Sequence, residues 1–349
     1  MKIALITRHL GLPVGFGTYS RNLLTALDAL DTDHEYVVYA PAWNEVPPVG
    51  ERFRVRRFPV PRSRALLNAW DLTQAPAAAV RDRVQLVHYL HPAYPAADPR
   101  RPIVVNLLDA IGWVVPGYRL PQPYEWLERR AATRADLVLT LSESARDDIG
   151  RVLGVPRERI RVTYLGAPPV DPQADAPPVD PPYFLFVGGT ERRKNLCAVL
   201  EAFAGLDGIR LRVVGPSAPS PIHDPRPDHE NVDWVGYVDA AELERLYRGA
   251  AALVFPSLYE GFGLPVVEAM ARRTPVIASN VSSIPEIAHD AAILVDPNDP
   301  SAIRAAMQRV LAEPALRSEL TTRGAQIAGG FTWDATARAT LAAYQELCA

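Results

Sequence analysis

Short apolar runs rich in β-branched residues alternate with helical patterns along nearly the whole chain. In the first half these runs predict strands at Ile3–Ile6, Tyr36–Tyr39, Phe53–Phe58, Gln85–Tyr89, Ile103–Leu107, Leu137–Leu141 and Ile160–Tyr164. Helical patterns lie between most of them, for example at Thr18–Leu30 and Tyr124–Arg134. Strands that alternate with helices are typical of a parallel, doubly wound sheet, so we predict an α/β fold.

A second series of the same kind follows a proline-rich segment. Residues 167–182 contain seven prolines and no apolar periodicity, which indicates a stiff linker. Beyond it we predict strands at Tyr183–Val187, Ile209–Val214, Val232–Val235, Ala251–Phe255, Val276–Ser279 and Ile293–Val295. We therefore expect Rossmann-like domains at residues 1–168 and 183–330, a linker at 169–182 and a last helical segment at 331–349.

Composition and charge narrow the class of protein. The chain has 349 residues, of which 48% are apolar and 22% charged, as in soluble globular proteins. Its net charge of −3 gives no argument for a nucleic acid partner. Cys197 and Cys348 stand far apart and form no disulfide or metal-ligand pattern. Since there is no apolar run of membrane length and residues 1–7 have the pattern of a strand, not of a signal peptide, we expect a cytoplasmic protein.

Residues 251–287 carry the strongest chemical signal. A buried strand is followed by a glycine-rich turn, and a helix is predicted to begin at Pro265 and to end before Pro275. The backbone N–H groups of Gly261, Gly263 and Leu264 would then meet at the positive end of this helix, where a phosphate binds well. Two acids, Glu260 and Glu268, flank the turn. A helix with acids near its N-terminus for its dipole alone is the plainer interpretation.

The order Glu-Gly-Phe-Gly-Leu-Pro, then Glu-Ala-Met-Ala, then Thr-Pro-Val, between Glu260 and Val276, resembles the donor site of the retaining two-domain (GT-B) glycosyltransferases, in particular glycosyltransferase family 4. The resemblance implies two Rossmann-like domains facing a cleft, with a nucleotide-diphosphate sugar bound by the second domain. It implies that Glu260 lies beside the transferred sugar and Glu268 beside the ribose hydroxyls. Further donor contacts are expected from Gly261, Phe262, Gly263, Leu264 and Pro265. The last helix is expected to cross back to the first domain.

The segment Gly188–Asn195 has the parts of a diphosphate clamp. Gly188 and Gly189 follow a strand, and Arg192, Arg193 and Lys194 precede a helix. Lys194 matches a lysine of the resembled family, and a related variant of the motif favours Arg193 over Arg192 as the arginine on the phosphates. The family's usual arginine directly after the first glycine is replaced by Gly189. The alternative is a solvated basic loop.

In the first domain, Gly15 and Gly17 lie between the first strand and the first helix. The spacing argues against a dinucleotide fingerprint. The resemblance implies a glycine-rich loop over the donor phosphates, and a plain flexible loop is the alternative.

Residues 103–109 contain the main departure from the family. A catalytic histidine is usual where this chain has Leu108, whereas the following Asp109 is kept. Leucine has no hydrogen-bonding group, so Asp109 becomes a catalytic candidate. His88 and His91 are candidate sugar or acceptor contacts, although a lone histidine is usually structural.

Six arginines crowd one stretch of the first domain: Arg52, Arg54, Arg56, Arg57, Arg62 and Arg64. Such a stretch attracts anionic lipid or a lipid-diphosphate acceptor, and the alternative is a solvated strand edge. A peripheral contact with the inner face of the membrane is therefore one prediction.

Together these observations predict a metal-independent retaining glycosyltransferase without a cofactor. It would move a sugar from a nucleotide-diphosphate sugar, with GDP-mannose as a first guess, to a sugar or lipid-linked acceptor in polysaccharide or glycoconjugate assembly. The alternatives are a sugar-nucleotide epimerase of the same fold and a catalytically weak subunit that binds sugar nucleotides, which Leu108 makes plausible.

Overall fold

The computed structural model describes residues 1–12, 15–97, 100–168, 170, 181–216, 222, 224 and 229–348. The predicted linker at 169–182 lies almost wholly outside the described residues. The chain divides into two compact units. Unit 1 contains residues 1–114, 119–166 and 333–349, and unit 2 contains residues 115–118 and 167–332. The last helix therefore belongs to unit 1, although it follows unit 2 in sequence.

Within the described ranges, thirteen strands form two sheets, one in each unit. They are β1 (Lys2–Ile6), β2 (Glu35–Pro41), β3 (Phe53–Phe58), β4 (Leu86–Tyr89), β5 (Ile103–Asn106), β6 (Leu137–Thr140), β7 (Ile160–Val162), β8 (Tyr183–Val187), β9 (Arg210–Val214), β10 (Val232–Gly236), β11 (Ala252–Phe255), β12 (Val276–Ser279) and β13 (Ile293–Val295). The strand order is β3-β2-β1-β4-β5-β6-β7 in unit 1 and β10-β9-β8-β11-β12-β13 in unit 2.

The helices between the strands lie at the positions that the alternating pattern requires. They are α1 (Phe16–Ala29), α2 (Arg64–Ala69), α3 (Ala75–Arg81), α4 (Ile111–Val114), α5 (Tyr124–Arg134), α6 (Glu143–Leu153), α7 (Leu196–Phe203), α8 (Ala240–Gly249), α9 (Leu264–Ala271), α10 (Ile284–Ala288), α11 (Pro300–Ala312), α12 (Pro314–Ala328) and α13 (Trp333–Cys348). A π-helical segment, Trp70–Gln74, joins α2 to α3. No described helix is both long and apolar enough to cross a bilayer.

All paired strands are parallel, which confirms the predicted pair of doubly wound sheets. Central strands such as β1, β8 and β11 are buried along nearly their whole length. Because helices cover both faces of a parallel sheet, its strands are continuous apolar runs, which made them visible in the sequence. In both sheets the strand order reverses beside the first strand of the unit, and α/β proteins bind ligands at such a point.

Several predicted ends differ by one or two residues. β5 ends at Asn106 and not at Leu107, and β7 ends at Val162 and not at Tyr164. Leu107 is still buried although it is no longer paired, whereas Tyr164 is exposed, so an apolar run alone overestimates the paired segment. Asp239 and Asp299, aspartates directly before helical patterns, cap α8 and α11, since each carboxylate accepts hydrogen bonds from the first turn of its helix.

The last helix, α13, is held in unit 1 by buried polar contacts. The Tyr344 hydroxyl lies 2.6 Å from Nδ1 of His88 on β4, and Nε2 of His88 lies 2.9 Å from Oδ1 of Asn106 on β5. All three side chains are fully buried. Thr336 adds a bond from its hydroxyl to the carbonyl oxygen of Tyr164. A polar chain therefore runs from α13 through two neighbouring strands.

Replacing Tyr344 with Phe should destabilise unit 1. The variant leaves Nδ1 of His88 buried without this partner, which costs about 1–3 kcal/mol. The measurement is urea unfolding followed by circular dichroism, with Tyr237→Phe as the control because Tyr237 is 74% exposed. Equal unfolding midpoints for the two variants would contradict a stabilising role for this contact.

Candidate active site

The turn after β8 is fixed by backbone geometry. Gly189 has φ +61°, and a Cβ atom there would lie 1.9 Å from the carbonyl oxygen of Pro216, so only glycine fits. A 3₁₀ turn at Arg192–Lys194 follows. Asn195 then adopts the left-handed conformation, and its Nδ2 donates to the carbonyl oxygens of Pro256 (3.1 Å) and Pro297 (2.7 Å). The basic segment is therefore held firmly at the carboxyl end of β8.

The turn after β11 is held from the neighbouring connection between β12 and α10. The Ser283 hydroxyl lies 2.9 Å from the carbonyl oxygen of Glu260 and 2.8 Å from that of Phe262. The Ser282 hydroxyl accepts from the backbone N–H of Glu260 at 3.1 Å. Gly263 precedes α9 with φ +103°, and a Cβ atom there would lie 2.6 Å from Cδ1 of Ile284. These contacts give Glu260 a defined position.

Because β8 and β11 are neighbours in the sheet, the two turns meet. Oε1 of Glu260 lies 2.7 Å from Nζ of Lys194, and its Oε2 lies 2.8 Å from Nη1 of Arg193. Arg193 also donates from Nε to Oε1 of Glu191 at 2.7 Å. We call these four residues the charge cluster: Glu191, Arg193, Lys194 and Glu260. The structure thus brings together Glu260, Arg193 and Lys194, the residues assigned from the sequence to the transferred sugar and the donor phosphates, whereas the catalytic candidate Asp109 belongs to unit 1.

The charge cluster is shielded from solvent. The side chains of Glu260 and Lys194 are 8% and 9% exposed, and those of Arg193 and Glu191 are 17% and 18% exposed. Burial alone would raise the pKa of Glu260, but Lys194 and Arg193 outweigh it and lower that pKa. Burial lowers the pKa of Lys194, against the opposing effect of Glu260. The two acids and two bases compensate each other, so the cluster is stable without a ligand.

Four further predicted donor residues follow Glu260 in the chain. Gly261, Phe262, Leu264 and Pro265 form the turn and the first residues of α9, which begins at Leu264, one residue before the predicted start. Phe262 is buried and packs edge-on against Phe331 at 5.5 Å. The positive end of α9 lies directly after Glu260 in the chain, so an anion there meets the helix dipole as well as two cations.

Glu268 lies inside α9, one turn beyond its start. Its Oε2 accepts a hydrogen bond from the Tyr247 hydroxyl at 2.8 Å. Burial raises the pKa of Glu268, and the bond from Tyr247 opposes that shift only in part. The Tyr247 hydroxyl on α8 therefore positions the carboxyl group of Glu268, and no motif or spacing in the sequence predicts this contact.

The two arginines that the sequence considers for the donor phosphates, Arg192 and Arg193, lie in different surroundings. Arg192 points away from the charge cluster and pairs with Asp224, its Nε lying 2.9 Å from Oδ1. Its guanidinium is 61% exposed, as expected for a solvated loop residue. Arg193 is the arginine that joins Lys194, as the related variant of the motif predicts.

In unit 1, local backbone geometry explains Gly17 at the start of α1, and Gly15 directly precedes that helix. A Cβ atom on Gly17 would lie 2.1 Å from the carbonyl oxygen of Leu12, so glycine is required for the close approach. Gly15 has φ +57° and open space around it. Their predicted contact with donor phosphates stays a prediction.

Leu108 and Asp109 follow β5. The carbonyl oxygen of Leu108 accepts a bond from the Thr140 hydroxyl at 3.1 Å, and the leucine side chain is buried. Asp109 accepts from the backbone N–H of Ile111 at 2.9 Å, directly at the start of α4. The position of the usual histidine is thus part of the apolar core, and one oxygen of Asp109 serves as a helix cap.

The predicted contacts of His88 and His91 need correction. Both rings are fully buried, since His88 lies between Tyr344 and Asn106 and His91 lies 3.1 Å from Oδ2 of Asp71. Burial lowers the pKa of His88 to about 4, so this ring is neutral. Neither ring can contact a sugar without losing these partners. The ends of strands carry core residues as readily as site residues, so a histidine at such a position does not by itself indicate a binding site.

Sequence reasoning missed several residues that shape the site. Ser282 and Ser283 hold the Glu260 turn, and Asn195 anchors the basic turn. Tyr118, from the four-residue segment that belongs to unit 2, faces Glu191 and Arg193, and burial together with Glu191 raises its pKa to about 12. Small hydroxyl residues and a lone tyrosine in loops carry no spacing signal, so only their spatial neighbours identify them.

No group of three or more His, Cys, Asp or Glu side chains within the described ranges is placed to hold a metal ion. In unit 2 the charge cluster and the start of α9 lie at the carboxyl ends of parallel strands, an arrangement whose charge and geometry suit an anionic ligand.

Comparison with known proteins agrees with this class. The model of the glycosyl transferases group 1 matches residues 169–327, and that of the glycosyl transferase 4-like domain matches residues 14–166. Neither model alone spans half of the chain, but the two together cover most of it, and the chain is a glycosyltransferase with these two domains.

The relatives include named mannosyltransferases. The O-antigen chain mannosyltransferase B of Escherichia coli is 29% identical over 99% of this chain and 100% of its own length. A D-inositol 3-phosphate glycosyltransferase of Streptomyces bingchenggensis is 31% identical over 77% of this chain and 63% of its own length.

Solved structures share the fold. Sucrose-phosphate synthase from Thermosynechococcus elongatus has a TM-score of 0.74 at 23% identity, covering 99% of this chain and 98% of that one. HepE from Anabaena, crystallised with UDP and glucose, has a TM-score of 0.73 at 17% identity, covering 99% of this chain and all of that one. The predicted GT-B fold is thereby confirmed.

Replacing Glu260 with Gln should destabilise unit 2. The neutral amide removes the carboxylate that lies 2.7 Å from Nζ of Lys194, and breaking a buried pair in this way costs about 3 kcal/mol. Calorimetric unfolding measures the loss, with Glu201→Gln on the exposed side of α7 as the control. A variant as stable as this control would show that the cluster contributes nothing to folding.

Glu268→Gln tests the raised pKa of Glu268. The folded state binds this proton more tightly than the unfolded chain, so the stabilisation is full below the unfolded pKa and is lost as the pH rises through the folded pKa. The variant should therefore gain stability relative to the native protein as the pH rises from acid to neutral. The melting temperature of both proteins across that range is the measurement, and parallel curves would contradict the shift.

Proposed function

We propose that the protein transfers a mannosyl group from GDP-mannose to an acceptor hydroxyl, with retention of the anomeric configuration. One observation carries the proposal: Glu260, Arg193 and Lys194 meet at the carboxyl ends of β8 and β11, beside the positive end of α9. The relative from Escherichia coli that spans the whole chain, named a mannosyltransferase, supports the choice of sugar.

In this proposal the donor diphosphate takes over the cations of the charge cluster. Without donor, Glu260 and Glu191 together balance the charges of Lys194 and Arg193. A diphosphate brings negative charge of its own, which frees the carboxylate of Glu260 to accept hydrogen bonds from sugar hydroxyls. Gly188 and Gly189 would let the backbone approach the phosphates closely, as glycine does in other phosphate loops.

Glu268 would bind the ribose. A carboxylate accepts two hydrogen bonds from a vicinal diol, and the Tyr247 bond holds the group in one orientation. The N–H groups of Gly263 and Leu264 would add to the anion site at the start of α9.

The reaction follows from this charge distribution. The acceptor oxygen forms its bond to the anomeric carbon on the face from which the diphosphate departs, and the bond between that carbon and the diphosphate oxygen breaks. The proton of the acceptor hydroxyl passes to the departing diphosphate oxygen. Arg193 and Lys194 stabilise the charge that develops there, so no step requires a metal ion.

A sugar-nucleotide-binding subunit is the second candidate. Leu108 and the capping role of Asp109 favour it, because the usual polar group of unit 1 is missing at this position. Slow hydrolysis of the donor separates the two: an active transferase shows it, and a pure binding subunit does not. For both candidates, the transferase and the binding subunit, we propose a cytoplasmic location and a nucleotide sugar as the ligand.

The test is a calorimetric titration with GDP, UDP, ADP and dTDP. One nucleotide should bind, GDP by the proposal, and Glu268→Ala should weaken it about tenfold or more, since bonds to a charged group contribute about 1.5–3 kcal/mol. Glu201→Ala, at an exposed position on α7, is the matched control. Binding of another nucleotide would correct the donor, and binding of none would refute the donor site.

A further inference from the structure

Unit 1 contains two adjoining cavities that the proposed donor site does not use. They share Arg8 and His9 from the loop after β1 and Arg64 at the start of α2. The inner cavity has a volume of about 200 Å³ and the outer one about 460 Å³. A side chain shared between two cavities can touch two parts of one ligand.

The inner cavity has the lining of a sugar site. Its polar groups include Asn68, Asp71 and Glu128, and its aromatic walls include Tyr94 and Tyr124. Carboxylates and amides bind hydroxyl groups, and aromatic faces cover the apolar face of a sugar ring. Burial, reinforced by Asp109, raises the pKa of Glu128 to about 7, which fits a carboxyl group withdrawn from water in a site of neutral ligands.

Arg8 fixes the boundary between the cavities. Its Nη1 lies 2.8 Å from Oδ2 of the buried Asp71 and 2.6 Å from Oδ1 of Asn68. Asp71 is 2% exposed and compensates the charge of Arg8. Arg8 therefore offers hydrogen bonds at this boundary but no net charge.

The outer cavity is different because it is basic. It is lined by Arg62, Arg64 and Arg8, with Trp43, Leu12 and Leu67, and no acid is among its described lining residues. The guanidinium of Arg62 lies 4.9 Å from the ring centroid of Trp43, and that of Arg64 lies 4.0 Å from that of Tyr124. Stacking on a ring fixes a guanidinium plane but leaves its N–H groups available at the edge.

Three other arginines of the same stretch have structural partners. Arg52 donates to the carbonyl oxygens of Asp28, Leu30 and Thr32 at the end of α1. Arg56 pairs with Asp82. Arg57 donates to the carbonyl oxygen of Asn44 at 2.7 Å. Arg62 and Arg64 differ from these three because both line the outer cavity, each against an aromatic ring, and among the described residues no carboxylate lies within 4.0 Å of their guanidinium nitrogens.

We propose that these cavities bind the acceptor as a sugar phosphate, with the sugar ring in the inner cavity and the phosphate between Arg62 and Arg64. Two uncompensated guanidiniums match the charge of about −2 on a phosphate monoester, and their planar forks match its oxygens. Leu12 and Leu67 lie beside the arginines, where a further apolar group on the phosphate would lie. The proposal deepens the proposed function, on which it rests, by naming the chemical class of the acceptor.

The test is calorimetric binding without any nucleotide. The probes are mannose 1-phosphate and N-acetylglucosamine 1-phosphate, each compared with its methyl glycoside and with inorganic phosphate. At least one sugar phosphate should bind ten times more tightly than its glycoside and than phosphate. Arg62→Gln and Arg64→Gln should each reduce this binding about tenfold, because each removes a charge-assisted bond.

Arg54→Gln is the matched control. Arg54 belongs to the same basic stretch but is exposed on β3 and lines neither cavity. Its loss should leave binding unchanged. Equal weakening by all three substitutions would indicate diffuse attraction by a basic surface and overturn the proposal, as would phosphate binding as tightly as the sugar phosphates.

A lipid-linked source and a free source of the sugar phosphate are separated by a further probe. An octyl phosphodiester of the better sugar phosphate should bind more tightly still if the acceptor is lipid-linked, and no more tightly if it is free; both results support the sugar phosphate. No gain of either sugar phosphate over its glycoside would refute it.

The failure of this inference is distinguishable from failure of the proposed function. GDP binding in unit 2 and the melting temperature are measured on the same Arg62→Gln and Arg64→Gln proteins. Intact GDP binding with no sugar-phosphate binding in the native protein would refute only the acceptor class. Absent GDP binding with sugar-phosphate binding intact would refute only the donor.

Discussion

The bonds of the Glu260 carboxylate to Lys194 and Arg193 are the interaction on which the rest of unit 2 depends. A carboxylate that is 8% exposed is stable only because one cation lies at each of its oxygens. This requirement fixes the turn after β11 against the turn after β8. The glycines, the serines of the next connection and Asn195 all serve that juxtaposition, since each removes a steric conflict or satisfies a backbone group near it.

The same arrangement explains how a site for an anion can be stable while it is empty. Two buried cations alone would repel each other and lose hydration without compensation. Glu191 and Glu260 supply the missing charge, and a ligand phosphate can replace Glu260 at its partners. The ion pairs of the charge cluster therefore offset the cost of removing these charges from water before any ligand binds. When a diphosphate binds, the cations exchange carboxylate contacts for phosphate contacts.

Arginine has two distinct uses in unit 1. Arg52 braces the end of α1, Arg56 pairs with Asp82 and Arg57 donates to the carbonyl oxygen of Asn44, and these contacts stabilise the fold. Arg62 and Arg64 rest on aromatic rings and keep their donors available. The crowding of arginines in the sequence does not distinguish these two uses. The distinction depends on which carbonyl, carboxylate or aromatic ring lies within reach of each guanidinium in the folded chain.

The sequence by itself determined the two parallel sheets, the helix starts at Asp239 and Asp299, and the turn that places Glu260 before α9. These features are local: they follow from apolar runs, from capping side chains and from glycines at positions where a Cβ atom does not fit. The tertiary structure alone decided that Arg192 pairs with Asp224, that His88 is bound to Tyr344 on α13, and that Tyr247 holds Glu268. These pairs are separated by up to 256 positions in the chain, and no period or spacing records which side chains burial brings together.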